Sequence, residues 1–285
     1  MMASRIPSLL ASVLRHPKPV RFLLAQLFWR TGWGRGVSFE VRSFRLRLHP
    51  ANLAWQLWLD RRNRDADLDL IRSLLRPGDT MIDVGANIGF TAIEGAHAVG
   101  PSGAVHAIEP HPVIHRCLQE NLALNRLAPP QVQIHAVAVA DVASTTGGLR
   151  LTDDRRDDMN FLIPAETARG APSSRSSLAG IAVQATTLDQ LFPDLPRCDL
   201  LKIDVEGAEL AVLRGGTSLL ARTSQILIEA GDPNSLRHGT RAVDLLQHLE
   251  SVGFEVRAVE DGALRPVRVE DYRDHVGNWL ASRRA

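Results

Sequence analysis

Five acidic side chains stand where predicted strands end: Asp83, Glu109, Asp141, Asp204 and Glu229. A buried strand gains nothing from a terminal carboxylate. In an open α/β sheet, however, the carboxyl ends of the strands face the ligand crevice, where an acid can balance a cation, grip a diol or take a proton. The stretch TMIDVGANIG at 80–89 reads as strand, tight loop and helix, with Asp83 at the strand's tip and Gly85, Ala86, Asn87 and Gly89 in the loop. Glu109 follows 26 residues after Asp83, near the distance at which an acid holds a ribose diol, and Asp141 is placed to take an adenine amine.

The loop is not the dinucleotide fingerprint, because Asn87 and Phe90 occupy the places of its second and third small residues. An acid directly before the loop also suits a cationic amine better than a phosphate. These residues therefore point to S-adenosylmethionine, with its ammonium and sulfonium groups, rather than a nicotinamide.

Lys202 precedes Asp204 by two residues on a strand, so both side chains project from one face. The cation keeps the carboxylate ionised and is suited to hold an acceptor oxygen; a structural ion pair is the plainer alternative. Asp204 is the first candidate for the amine contact or for the base, with Glu206 nearly its equal, while Glu209 is expected to favour the start of the next helix. Of the ten histidines, only His238 falls near the predicted crevice. Asp204 and Glu229 lack a third ligand in view, and no metal is expected.

The elements that must position these residues alternate regularly. Strands are expected at 80–84, 104–108, 132–140, 200–205, 226–228, 254–259 and around Asn278-Trp279-Leu280-Ala281, separated by helices, which gives a doubly wound sheet whose last strand is antiparallel. Residues 53–75 read as one helix with a polar middle. Residues 37–49 alternate as a hairpin placed to lid the crevice, and residues 147–183 are the least regular part, a loop read either as a substrate contact or as a disordered surface insertion. The expected organisation is an N-terminal helix and β-hairpin appendage, 1–64, and a main domain, 65–285.

Charge separates the two ends of the chain. Residues 1–50 hold nine Arg/Lys against Glu40 alone, and the remainder holds 24 basic and 31 acidic groups. The acidic body excludes nucleic acid as a partner, and the basic end offers a weak contact to a membrane surface. An N-terminal helix lying on that surface would turn Leu23, Leu24, Leu27 and Phe28 toward it and Arg21 and Arg30 outward; packing on its own domain is the plainer alternative. No stretch approaches the roughly 18 apolar residues of a membrane span. Cys117 and Cys198 show no ligand or disulfide spacing, which suits reduced thiols in a cytoplasmic protein.

The strings GDTMIDVGANIGF at 78–90, TLDQL at 187–191, DLLKIDVEGAELAVLRGG at 199–216 and LIEAG at 227–231 resemble the FkbM-type S-adenosylmethionine-dependent methyltransferases. The resemblance spans roughly 65–281, and KIDVEGAE is its specific part. It implies a class I methyltransferase (Rossmann-like) fold with a seven-stranded sheet, and O-methylation of a sugar, glycan or polyketide-type hydroxyl. It also implies cofactor contacts at Asp83, Gly85, Asn87, Gly89 and Glu109, and a site-forming motif at Lys202, Asp204 and Glu206. A nicotinamide oxidoreductase and a non-catalytic protein of the same fold are the competing readings.

Overall fold

The computed structural model describes residues 18–31, 36–49, 51–151, 162–164, 181–260, 262–272 and 277–284. The described helices are α1 (Pro19–Thr31), α2 (Asn52–Leu59), α3 (Asp65–Leu74), α4 (Phe90–Val99), α5 (Pro112–Leu124), α6 (Leu188–Leu191), α7 (Glu209–Arg214), α8 (Thr217–Leu220), α9 (Asp232–Ser235) and α10 (Ala242–Ser251). The strands are β1 (Ser38–Val41), β2 (Phe44–Arg47), β3 (Thr80–Val84), β4 (Ala104–Ile108), β5 (Val132–His135), β6 (Ala138–Val139), β7 (Ser144–Leu151), β8 (Leu162–Pro164), β9 (Ile181–Thr186), β10 (Cys198–Ile203), β11 (Thr223–Ala230), β12 (Phe254–Glu260), β13 (Ala263–Pro266) and β14 (Gly277–Arg283).

The main sheet has the order β13-β12-β14-β11-β10-β3-β4-β5. β11, β10, β3, β4 and β5 run parallel, and β14 is antiparallel to both β11 and β12. This is the class I methyltransferase sheet expected from the sequence, with the short β13 added antiparallel at one edge. Alternation along the strands supplies two cores. Met81, Val105, Ala107, Leu200 and Leu227 face one, and Ile82, Ile108, Leu201, Ile203, Ile226 and Ile228 face the other.

Several expectations give way to longer-range packing. The helix predicted over 53–75 is two helices, because the polar run from Asp60 to Arg64 forms turns between α2 and α3. The strand predicted over 132–140 divides into β5 in the main sheet and β6, which joins β9, β7 and β8 in a second, four-stranded sheet. Of the stretch 147–183, only 147–151, 162–164 and 181–183 are described, all in that sheet; the rest lies outside the described residues. The β1–β2 hairpin is not an appendage beyond a boundary at residue 64. Phe39, Val41, Phe44, Leu46 and Leu48 belong to the core that also holds Phe90 and Ile93. The hairpin backbone is tied to α5 through Arg47 N–H to Asn121 Oδ1 at 2.8 Å and Arg45 N–H to Asn125 Oδ1 at 2.9 Å. It lines no part of the cavity described below. No described helix is long and apolar enough to cross a membrane.

One buried charge braces α3 against α4. Glu94 is fully buried, and its Oε1 accepts from Arg72 Nε at 2.5 Å. Removing one partner strands a buried charge, which typically costs about 3 kcal/mol or more. Arg72→Ala is therefore expected to lower the urea midpoint clearly, whereas loss of an exposed pair such as Arg268–Glu270 should cost under about 1 kcal/mol.

Candidate active site

A cavity of about 440 Å³ opens at the carboxyl ends of β3, β4, β10 and β11, within the size range of small-molecule sites. Its floor is the loop after β3. Gly85 and Ala86 both donate their backbone N–H to Ile108 O at 3.0 Å, so the loop leaves the strand folded over β4. Gly85 has φ +82°, and a Cβ there would lie 1.9 Å from the carbonyl oxygen of Asp204. The loops after β3 and β10 thus meet backbone to backbone, and only glycine permits it.

Asn87 is also left-handed (φ +49°), a conformation Asn tolerates, and its Oδ1 accepts from Ile88 N–H at 2.7 Å. Its own N–H donates to Glu109 Oε2 at 3.1 Å, while Glu109 Oε1 accepts from His111 N–H at 2.8 Å. The carboxylate thus fixes the floor, and its place on the cavity suits it to accept from a diol. Ala86, Asn87 and Glu109 all line the cavity.

Three expected cofactor residues lie elsewhere. Asp83 is fully buried behind the wall: its Oδ2 accepts from Thr91 Oγ1 at 2.6 Å, and its Oδ1 lies 3.3 Å from Lys202 Nζ. It acts on the cavity through Lys202 and Thr91, which do line it. Gly89 starts α4 with φ +90°, and a Cβ there would meet Leu118 Cδ1 at 2.7 Å, so its smallness serves helix packing. Asp141 is exposed and outside the cavity lining, whose wall in that region is Val137, Ala138 and Val139. The break between β5 and β6 carried Asp141 past the strand end that periodicity assigned to it.

Around β10 the expected residues converge. Parallel register pairs Lys202 with Asp83 on one side and with Leu227 on the other, two residues before Glu229. The same face of three strands therefore presents Asp83, Lys202 and Glu229. Lys202 Nζ lies 3.4 Å from Asp204 Oδ2, completing a bridge between two carboxylates. Burial disfavours the ammonium, but Asp83 and Asp204 outweigh it and hold Lys202 protonated above its ordinary range. Burial likewise opposes the Asp204 charge, yet Lys202 and a hydrogen bond from Glu229 keep its carboxyl below the usual range. Glu229 bears the consequence. The Asp204 charge, reinforced by burial, pushes its carboxyl up to about 8.

Glu206 sits at φ +56°, uncommon for a long side chain and a conformation that costs of order 1–3 kcal/mol. The strain is held from behind: Glu209, buried at the start of α7, accepts from Gly207 N–H at 3.0 Å and Val205 N–H at 3.3 Å. Glu209 thus shapes the loop and leaves Glu206 on the cavity.

Residues not anticipated from sequence complete the wall. Arg64 and Asp67 come from the α2–α3 turn and from α3, and Gly277 and Asn278 from the start of β14, with Asn278 Nδ2 3.4 Å from Asp67 Oδ1. Antiparallel pairing of Glu229 with Asn278 brings them there, a register no local pattern announces. His238, the expected histidine, lies outside the lining, which holds His111 instead. The His111 Nδ1 accepts from Val113 N–H at 3.3 Å and caps α5.

The donor set fits a ligand with a cationic end and a diol. Oxygen atoms of Asp204, Glu206 and Glu229 lie within 4.8 Å of one another, close enough to surround an ammonium or a hard divalent cation. Glu109 faces the same cavity, with Ile108, Ile114 and Val139 as an apolar wall suited to a flat heterocycle.

Residues 83–256 match the profile of the methyltransferase FkbM domain. The chain is 30% identical over 213 residues to 31-O-demethyl-FK506 methyltransferase FkbM of Streptomyces tacrolimicus, covering 66% of this chain and 76% of that one. It is 28% identical over 179 residues to hexuronic acid methyltransferase AglP of Haloferax volcanii, covering 61% and 66%. It is also 31% identical over 219 residues to AMB antimetabolite synthetase AmbE of Pseudomonas aeruginosa, covering 67% of this chain but only 10% of that much longer protein.

Proposed function

From the premise that the chain belongs to the FkbM methyltransferase family and is an S-adenosylmethionine-dependent methyltransferase, we propose that it methylates a hydroxyl of a sugar, glycan or polyketide-type small molecule. Two relatives support that acceptor class by name, one a demethyl-FK506 methyltransferase and the other a hexuronic acid methyltransferase. The observation that carries the reading is the Lys202–Asp204–Glu229 arrangement on the cavity wall.

S-adenosylmethionine, when bound, supplies an activated methyl group with a neutral sulfide as its leaving group. Alignment of a bound acceptor can remove about 7–11 kcal/mol of barrier. The Gly85–Asn87 floor, pinned by Glu109, and the Glu206 loop, pinned by Glu209, provide fixed walls for that alignment. An aliphatic hydroxyl must also lose its proton. Lys202 holds Asp204 as an anion, and Asp204 in turn makes Glu229 basic enough to receive that proton near neutral pH. Asp204 is the tuning charge and Glu229 the base, which moves the proton-accepting role one strand away from the KIDVEGAE motif.

The test is mass spectrometry after incubating the purified protein and S-adenosylmethionine with uronic acids, neutral glycosides, macrolide alcohols and primary amines. A product heavier by one methylene, stable to base and formed only from hydroxyl-bearing acceptors, is expected. Methylation of the amines alone would overturn the acceptor class, and loss of activity with a chelator, restored by magnesium, would transfer the proton's activation to a metal held by Asp204, Glu206 and Glu229.

A further inference from the structure

Helix α1 is built the wrong way round for a helix surrounded by water. Of its 13 residues only Arg21 and Arg30 are charged. Val20, Leu23, Leu24 and Leu27 recur at the spacing of one helical face, and they are 68%, 48%, 37% and 48% exposed. The polar residues near its start turn toward the protein instead. The Arg21 guanidinium stands 5.9 Å over the Trp58 ring, and Lys18 Nζ donates to Leu59 O at 2.9 Å and lies 3.6 Å from Asp60. A surface helix normally buries its apolar stripe and wets its polar one. The exposed leucines depart from the plainer expectation, packing of the stripe on the chain's own domain.

The charge of this end of the sequence narrows what can cover the stripe. The first 39 residues contain six Lys/Arg and no Asp or Glu. A second copy of the same face would bring the same positive charge. The chain's own first 17 residues would add Arg5 and Arg15 and no acid. An anionic bilayer supplies both an apolar phase for the leucines and negative headgroups for the cations.

We propose that α1 docks in the plane of an anionic phospholipid surface, with Val20, Leu23 and Leu24 toward the acyl chains and the net positive charge of this end of the sequence drawing it to the headgroups. α2, which carries α1 through Trp58 and Leu59, also contributes Leu53 and Gln56 to the cavity wall. The bilayer contact therefore lies one helix away from the active site. This inference is independent of the acceptor's identity.

Co-sedimentation of the full chain with vesicles tests it. The protein is expected to sediment with phosphatidylcholine vesicles containing phosphatidylglycerol, and to bind at least about tenfold more weakly to phosphatidylcholine alone or in high salt, where surface attraction is screened. The double variant Leu23→Glu/Leu24→Glu should stay in the supernatant while binding S-adenosylhomocysteine as the wild type does, which separates lost docking from lost fold. Failure of the wild type to sediment with the anionic vesicles, or equal sedimentation of the variant, would overturn the proposal. So would light scattering that shows a wild-type dimer and a monomeric variant, since the stripe would then be an interface between copies.

Discussion

Replacing Glu229 with glutamine is expected to slow methyl transfer by about 10²- to 10⁴-fold, the usual worth of a positioned base. Glutamine keeps the size and can still donate to Asp204, so the binding of S-adenosylhomocysteine should change little. The wild-type rate should rise with pH to a midpoint near 8, where the Glu229 carboxyl loses its proton. Asp204→Asn removes the charge that raises Glu229, and Lys202 keeps Asp83 as a partner at 3.3 Å. The rising limb of that variant should therefore move to lower pH as well as to a lower plateau. Stability carries the same signature with a definite sign. A carboxyl whose folded value lies above its unfolded one favours the folded state most at pH below its ordinary range, and that contribution is lost as pH rises through about 8. Between pH 5 and 9, roughly, wild-type stability should fall relative to Glu229→Gln. A glutamine variant with wild-type rate at pH 8 would remove Glu229 from the reaction.

Gly85→Ala should be the most damaging single methyl among the described glycines. Its Cβ would stand 1.9 Å from the backbone oxygen of Asp204, just past the end of the buried strand β10, and φ +82° adds its own penalty. Neither neighbour can yield cheaply, so the loops after β3 and β10 must separate, and the Asn87–Glu109 contact and the position of Asp204 go with them. A loss of about 3 kcal/mol or more is expected, with no measurable binding of S-adenosylhomocysteine. Gly239→Ala is the matched control. It too has positive φ, +71°, but nothing lies within 4 Å of its Cβ. It should cost only about 1 kcal/mol and leave binding intact. Equal thermal shifts in the two variants would mean that backbone conformation, and not the close approach of the two loops, makes glycine necessary at 85.

What the sequence revealed of this site was whatever lies within one strand and its loop. The DVGANIG loop, the Glu109 strand end and the Lys202–Asp204 pair were legible because a period of two and a turn rich in glycine fix them locally. The parallel register then brought Asp83 beside Lys202, and the family match removed the oxidoreductase and non-catalytic readings. What could not be read depends on contacts between distant segments. Glu229 could be placed at the crevice but given no role, since nothing local says that β11 lies beside β10 and sets it against Asp204. Asn278 arrives only through antiparallel insertion of β14, and Asp141 is lost only because β6 leaves the main sheet. The α1 leucines left two readings open for a different reason. Helical spacing identifies a stripe but not the direction it faces, and here Trp58 draws Arg21 to the protein side.

Isothermal titration with S-adenosylhomocysteine, on wild type and Glu109→Ala, tests most directly that the cavity beside the Gly85–Gly89 loop holds the cofactor. Glu109 pins Asn87 and His111 through one oxygen each and lines the cavity. The account predicts micromolar binding to the wild type, at least about tenfold weaker binding to the variant, since a lost charged hydrogen bond costs roughly 1.5–3 kcal/mol, and no binding of NADH to either. Wild-type affinity retained in Glu109→Ala would contradict it and place the cofactor elsewhere.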